Sequence, residues 1–170
     1  MPPTSQHDRY LLHLNHALAM ESALVDHLEK RAAAVASPRA REQFLRHRDE
    51  TAHHREIVRE IIESLQGEPT ASKANVQPPI AASLVGKVMD ALEREKEDRA
   101  LADDLADFAV ENYEAAFYGV LILIARSLGF GNHVSRFDAI RQQEQAMADA
   151  VAARLPLAVR EAFPPLSQAA

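Results

Sequence analysis

Residues 110–130 read VENYEAAFYGVLILIARSLGF. No charged residue falls between Ala115 and Ala125. A helix that is apolar all round belongs in a core, covered by its neighbours. Glu111 and Glu114 stand at the entrance to this run, one helical turn apart. At about 100° per residue, Glu111 lies in line with Ala115, Tyr118, Ile122 and Ala125. A carboxylate on that face needs a partner, a proton or a metal ion, because burial disfavours its charge.

Outward from this stretch, the periodicity predicts further long helices. A helix from Thr4 or Ser5 to about Ala34 carries Tyr10, Leu11, Leu14, Leu18, Val25 and Leu28 at helical spacing, with Glu21 in mid-stripe. Ser37 suits an N-cap and Pro38 the first helical position. The link is so short that the next helix must be the antiparallel neighbour of the first. That second helix reaches about Gln66, with Gly67 as its expected C-terminal cap. Its stripe is Phe44, Thr51, Val58 and Leu65, with His47 and His54 facing inward and Glu50 beside them.

Residues 67–79 form the longest connection, followed by a short helix from Pro79 with Ile80, Leu84, Val88 and Leu92. The helix containing the opening stretch runs from about Glu97 to Leu128, ended by Gly129 and Gly131. Asn132 can cap the last helix, His133 to Leu155, whose stripe of Phe137, Ile140, Met147, Ala148, Val151 and Leu155 has Glu144 at its centre. Pro156 is expected to stop it. Residues 1–155 then make one helical bundle and 156–170 a Pro-rich tail.

Glu21, Glu50, Glu111 and Glu144 each fall near the midpoint of a long helix. In an antiparallel bundle such midpoints share a layer, and four carboxylates there repel one another. A pair of divalent metal ions removes that conflict. The bundle solution uses a Glu from each of two helices and a Glu-x-x-His from each of the other two. Glu50 has His53 at i+3 and His54 at i+4; the helical wheel favours His54 and spacing alone favours His53. Glu144 has Met147 at i+3, so the second histidine is missing, and Glu114 is the expected substitute. Tyr118 and His47 are expected to support the ligands by hydrogen bonds. One inward Glu is commonly a satisfied core group; four at matching heights require four separate coincidences.

Composition narrows the class. Leu and Ala dominate, with only five Gly, which favours helices. The net charge of -6 argues against nucleic acid as a partner. There is no Cys, which excludes disulfides and thiolate metal sites. The N-terminal residues lack an apolar signal region, and the apolar run at 115–125 is shorter than a membrane span. A cytoplasmic protein with no membrane partner is expected.

The segments around Tyr10–Glu21, His47-Arg-Asp-Glu-Thr-Ala-His-His54, Leu65-Gln-Gly67, Glu111-Asn-Tyr-Glu-Ala-Ala-Phe-Tyr-Gly119, Ala125-Arg-Ser-Leu-Gly129 and Glu144-Gln-Ala-Met147 resemble the ferritin-like stress-associated proteins of the bacterial YciE/YciF type. Asn112 departs from that pattern, which usually has His there. The resemblance covers about residues 8–155. It implies an all-α, ferritin-like four-helix bundle of two antiparallel hairpins with a long crossover, often dimeric. It also implies a dinuclear centre at Glu21, Glu50, His54, Glu111, Glu114 and Glu144. Together these readings predict a homodimeric dimetal carboxylate protein, iron first, with manganese or zinc compatible. The expected chemistry is oxidation of Fe(II), or reaction with oxygen or peroxide, in stress protection. The alternative is a metal-free bundle acting as a structural or interaction module.

Overall fold

The computed structural model describes residues 5–70 and 99–163. Its helices are α1 (Gln6–Ala34), α2 (Pro38–Ser64), α3 (Arg99–Ser127), α4 (Gly131–Ala152) and α5 (Leu155–Ala162), with no strand among the described residues. The architecture is an all-α bundle. The expected short helix from Pro79 lies outside the described residues. The described chain forms two compact units: residues 5–70 with 120–137, and residues 99–119 with 138–163.

In the first unit, α1 begins with a capping box. The Ser5 hydroxyl accepts from the Asp8 backbone N–H at 3.0 Å, and the Asp8 carboxylate accepts from the Ser5 N–H at 3.1 Å. Its buried line is Tyr10, Leu14, Ala17, Glu21, Leu24, Leu28 and Arg31, with Leu18 and Ala32 alongside. Leu24, rather than the expected Val25, holds the inward position, because a line spaced by threes and fours from Leu14 and Ala17 passes through 21, 24 and 28. Ser37 caps α2 with Pro38 at the first helical position, and α2 packs on α1. The α2 line is Phe44, His47, Thr51, His54, Val58 and Ile61, so two of its core positions are histidines.

α2 and α3 both end in this unit and stop by the same device. Gly67 N–H donates to Ile62 O at 3.0 Å and Gln66 N–H to Glu63 O at 2.9 Å. Phe130 N–H donates to Ala125 O at 2.9 Å and Gly129 N–H to Arg126 O at 3.1 Å. These are paired six-to-one and five-to-two bonds that satisfy the last free carbonyls. At the end of α3 the left-handed residue is Gly129, with φ 79°. At the end of α2 it is Gln66, with φ 58°, not the expected Gly67. Gly67 has a different role: a Cβ there would lie 2.5 Å from Leu11 Cδ2 and 3.1 Å from the Ile62 carbonyl oxygen. Its lack of a side chain allows the chain to pass close to α1.

Gly131 opens α4 instead of ending α3, so Asn132 sits inside the helix and is not its cap. The α4 line runs His133, Phe137, Ile140, Glu144, Met147, Ala148 and Val151. α4 ends at Ala152, short of the expected Leu155, and Pro156 lies in the first turn of α5, where a proline leaves no donor unpaired. Of α5, only Ala158 is buried.

α3 is long and apolar enough, by length and composition, to cross a membrane, yet it carries Glu111 and Glu114 as buried groups. Only 39% of its most apolar stretch is buried. Val120 and Leu123 remain exposed.

Candidate metal centre

Burial decides which ionisable groups matter. Among the described residues, the buried carboxylates are Glu21, Asp107, Glu111, Glu114 and Glu144, and the buried imidazoles are His47, His54 and His133. The buried guanidinium is Arg31, which lies 5.1 Å over the Phe44 ring. Charged carboxylates lose far more hydration on burial than packing returns, so such an excess of acid requires protons or cations.

The first unit contributes Glu21, His47, Glu50 and His54. Glu21 is fully buried because it occupies the line position between Ala17 and Leu24. His54 of α2 faces it, with Nδ1 3.9 Å from Glu21 Oε2. That separation is longer than a hydrogen bond. It suits two ligands of one ion, which lie roughly 3–4 Å apart when each is about 2.1 Å from the metal. One turn earlier, His47 is buried and Thr51 donates to its backbone carbonyl at 2.9 Å. His47 Nδ1 pairs with Glu50 Oε2 at 3.4 Å, and the Glu50 side chain is 39% exposed. His53 is exposed.

The second unit contributes Glu111 and Glu114 from α3 and Glu144 from α4, all buried. Tyr118, one turn after Glu114, is fully buried. Tyr113 stacks on Phe117 at 6.0 Å, and its phenol is pushed up by burial and then by the Glu114 carboxylate. Met147 is buried one turn after Glu144. Asp107 was not singled out by the sequence pattern. Arg154 accounts for it: its Nη2 lies 3.1 Å from Asp104 and 3.9 Å from Asp107, which gives this acid a charged neighbour of its own.

The structure thus buries Glu21, His54, Glu111, Glu114 and Glu144 among the expected ligands, and Tyr118 and His47 among the expected supports. It leaves Glu50 half-exposed and turns His53 to solvent. Buried Glu and His groups of this kind could hold a metal ion. The donor set is oxygen and imidazole nitrogen, without thiolate, which fits iron, manganese or zinc.

Helices carrying buried acids and imidazoles at single core positions define a helical-bundle protein with a candidate carboxylate–histidine centre. The chain belongs to the family described as "Domain of unknown function (DUF892)", whose model matches residues 5–163. None of the curated proteins matches the chain. The crystal structure of the E. coli stress protein YciF is similar at 22% identity and a TM-score of 0.70, over 93% of this chain and 97% of that one. A protein from Xanthomonas campestris pv. campestris is similar at 21% identity and a TM-score of 0.72, over 93% and 96% of the two chains. At such identities the likeness bears on the fold.

Proposed function

We propose that this chain is a dimetal carboxylate protein of the stress response, with iron as its first metal and manganese or zinc as compatible ions. The observation that carries the reading is the burial of four Glu and two His side chains on the core lines of α1, α2, α3 and α4. Two ligand sets follow from it. Glu21, His47 and His54 of the first unit form one, and Glu111, Glu114 and Glu144 of the second form the other. Tyr118, one turn after Glu114 on α3, would support that carboxylate.

The roles of Glu50 and His47 are exchanged relative to the sequence expectation. His47 is a ligand, and the half-exposed Glu50 accepts from its Nδ1–H and fixes the tautomer that leaves Nε2 for metal. Such carboxylate–imidazole support is general at metal-bound histidines. Met147 then needs no replacement by histidine, since His47 supplies the second imidazole from α2.

A bound iron pair supplies oxidation of Fe(II) by oxygen or peroxide. The chain's own part is to neutralise that charge with buried carboxylates. We further read the protein as cytoplasmic and homodimeric, with exposed Val120 and Leu123 of α3 as the apolar surface a second copy would cover. The test is an anaerobic titration of the metal-free chain with Fe(II), followed by oxygen uptake. Saturable Fe(II) binding followed by oxygen consumption supports the reading; neither Fe(II) nor Mn(II) uptake overturns it.

A second reading, from a different class, rests on Met147, which stands where a Glu-x-x-His pattern has its histidine. It takes the bundle as a metal-free interaction module whose inward acids are held by protons and neighbouring polar groups. Unchanged melting on addition of any divalent metal would favour it.

A further inference from the structure

The first unit contains a second concave site, which uses none of the groups proposed as ligands or their supports. It is a cavity of about 190 Å³ between the start of α1 and the end of α3. It is lined by Gln6, Arg9, Tyr10 and His13 from α1 and by Ile124, Ser127 and Leu128 from α3. No acidic side chain lines it.

Three features give this cavity a chemistry. First, its size: an apolar cavity of about 150 Å³ accommodates a single benzene ring, so this one has room for a ring and a small substituent. Second, its rigid wall. Tyr10 is fully buried, stacks on Phe130 at 5.7 Å, and its hydroxyl is bonded to His133 Nδ1 at 3.1 Å. The ring face is therefore fixed, and the hydroxyl is already engaged. Third, its polar side has unused capacity. His13 Nδ1 is buried and has no hydrogen-bond partner among the described residues. Arg9 is exposed, makes no ion pair among the described residues, and stands one turn before His13 on α1; burial first, then His16 and Arg9, disfavours protonation of His13. The nearest acid in sequence, Asp8, is held by the Ser5 N–H in the capping box. A neutral imidazole N–H beside a free guanidinium is a pair of donors for one carboxylate.

We propose that this cavity binds a monocyclic aromatic carboxylate. The ring lies against Ile124 and Leu128, and the carboxylate accepts from Arg9 and His13 Nδ1–H. The site is independent of the metal centre, so it is tested on chelator-treated protein. Benzoate is titrated into the full chain while the Ile and Leu methyl resonances are followed by NMR. Benzamide supplies the ring without the charge, and acetate the charge without the ring. Benzoate is expected to shift the Ile124 and Leu128 methyls with a Kd of about 1 mM or tighter, and benzamide and acetate each to bind at least about ten-fold more weakly. Arg9→Gln, a change at an exposed position, is expected to weaken benzoate about ten-fold without altering the melting temperature. Absence of any methyl shift up to about 10 mM benzoate overturns the proposal. So does equal affinity for benzoate and acetate, which would indicate a surface charge effect only. Unchanged benzoate affinity in Arg9→Gln overturns the recognition of the carboxylate.

Discussion

Replacing Glu144 by Gln tests its role as a metal ligand. Glu144 is 1% exposed on the core line of α4 and belongs to the ligand set proposed for the second unit. Glu144→Gln keeps the shape and removes the charge, so the cavity term of a truncation is absent. Without metal, the change removes one of five buried carboxylates, and relief of repulsion leaves the variant at least as stable as the wild type. With metal the order reverses. An ion present at about 100 times its Kd stabilises the native state by about 2.7 kcal/mol. For a chain of this length each kcal/mol moves the melting temperature by about 2–4 °C, so the wild type should gain about 5–11 °C. The variant, which lacks that ligand, should gain less than about 2 °C at the same metal concentration. The assay is thermal melting by circular dichroism, first with chelator, then with anaerobic Fe(II) or with Mn(II). Glu50→Gln is the companion: loss of the support to His47 should lower metal affinity about 10–100-fold without abolishing it. Equal metal-induced shifts in wild type and Glu144→Gln would refute the ligand role.

Other outcomes follow from the first unit. Burial holds the imidazoles of His13, His16 and His133 below the usual histidine range, with Arg9 and His16 adding to the effect at His13 and Arg136 at His133. The unfolded chain therefore binds more protons than the native one below about pH 6.5, and the stability these groups contribute is complete above that pH and lost as pH falls through it; urea midpoints at pH 7.5 and 5.5 check this, and a higher midpoint at pH 5.5 would contradict it. Gly67→Ala should cost about 1–3 kcal/mol in urea unfolding, because its Cβ would meet the Leu11 side chain at 2.5 Å. Tyr10→Phe should cost about 1–2 kcal/mol, since it removes the 3.1 Å bond to the buried His133 ring; an unchanged midpoint would mean that the bond contributes nothing.

The helices were readable because their apolar residues recur at threes and fours, and because Ser5, Ser37, Pro38 and Gly129 carry local end signals. Inward Glu21, Glu111 and Glu144 were readable for the same reason: each interrupts an apolar line. What the pattern missed depends on close approach. Gln66 takes the left-handed conformation because Gly67 is needed next to Leu11, and nothing local distinguishes those two needs. Pro156 reads as a stop, but a proline fits the first turn of a helix equally well. The wheel turned His47 inward with Glu50 beside it, as the burial bears out; the ligand role went to Glu50 only because the bundle pattern asks for a carboxylate on each helix. Asp107 escaped notice because its neighbour, Arg154, is distant in sequence.

The most direct test of the account is a crystal of the chain grown with Fe(II) or Mn(II) and measured on both sides of the metal absorption edge. The account predicts about two anomalous peaks per chain, with Glu21 and His54 of the first unit and Glu111, Glu114 and Glu144 of the second among their ligands. Well-ordered Glu and His side chains with no anomalous peak among them would contradict it.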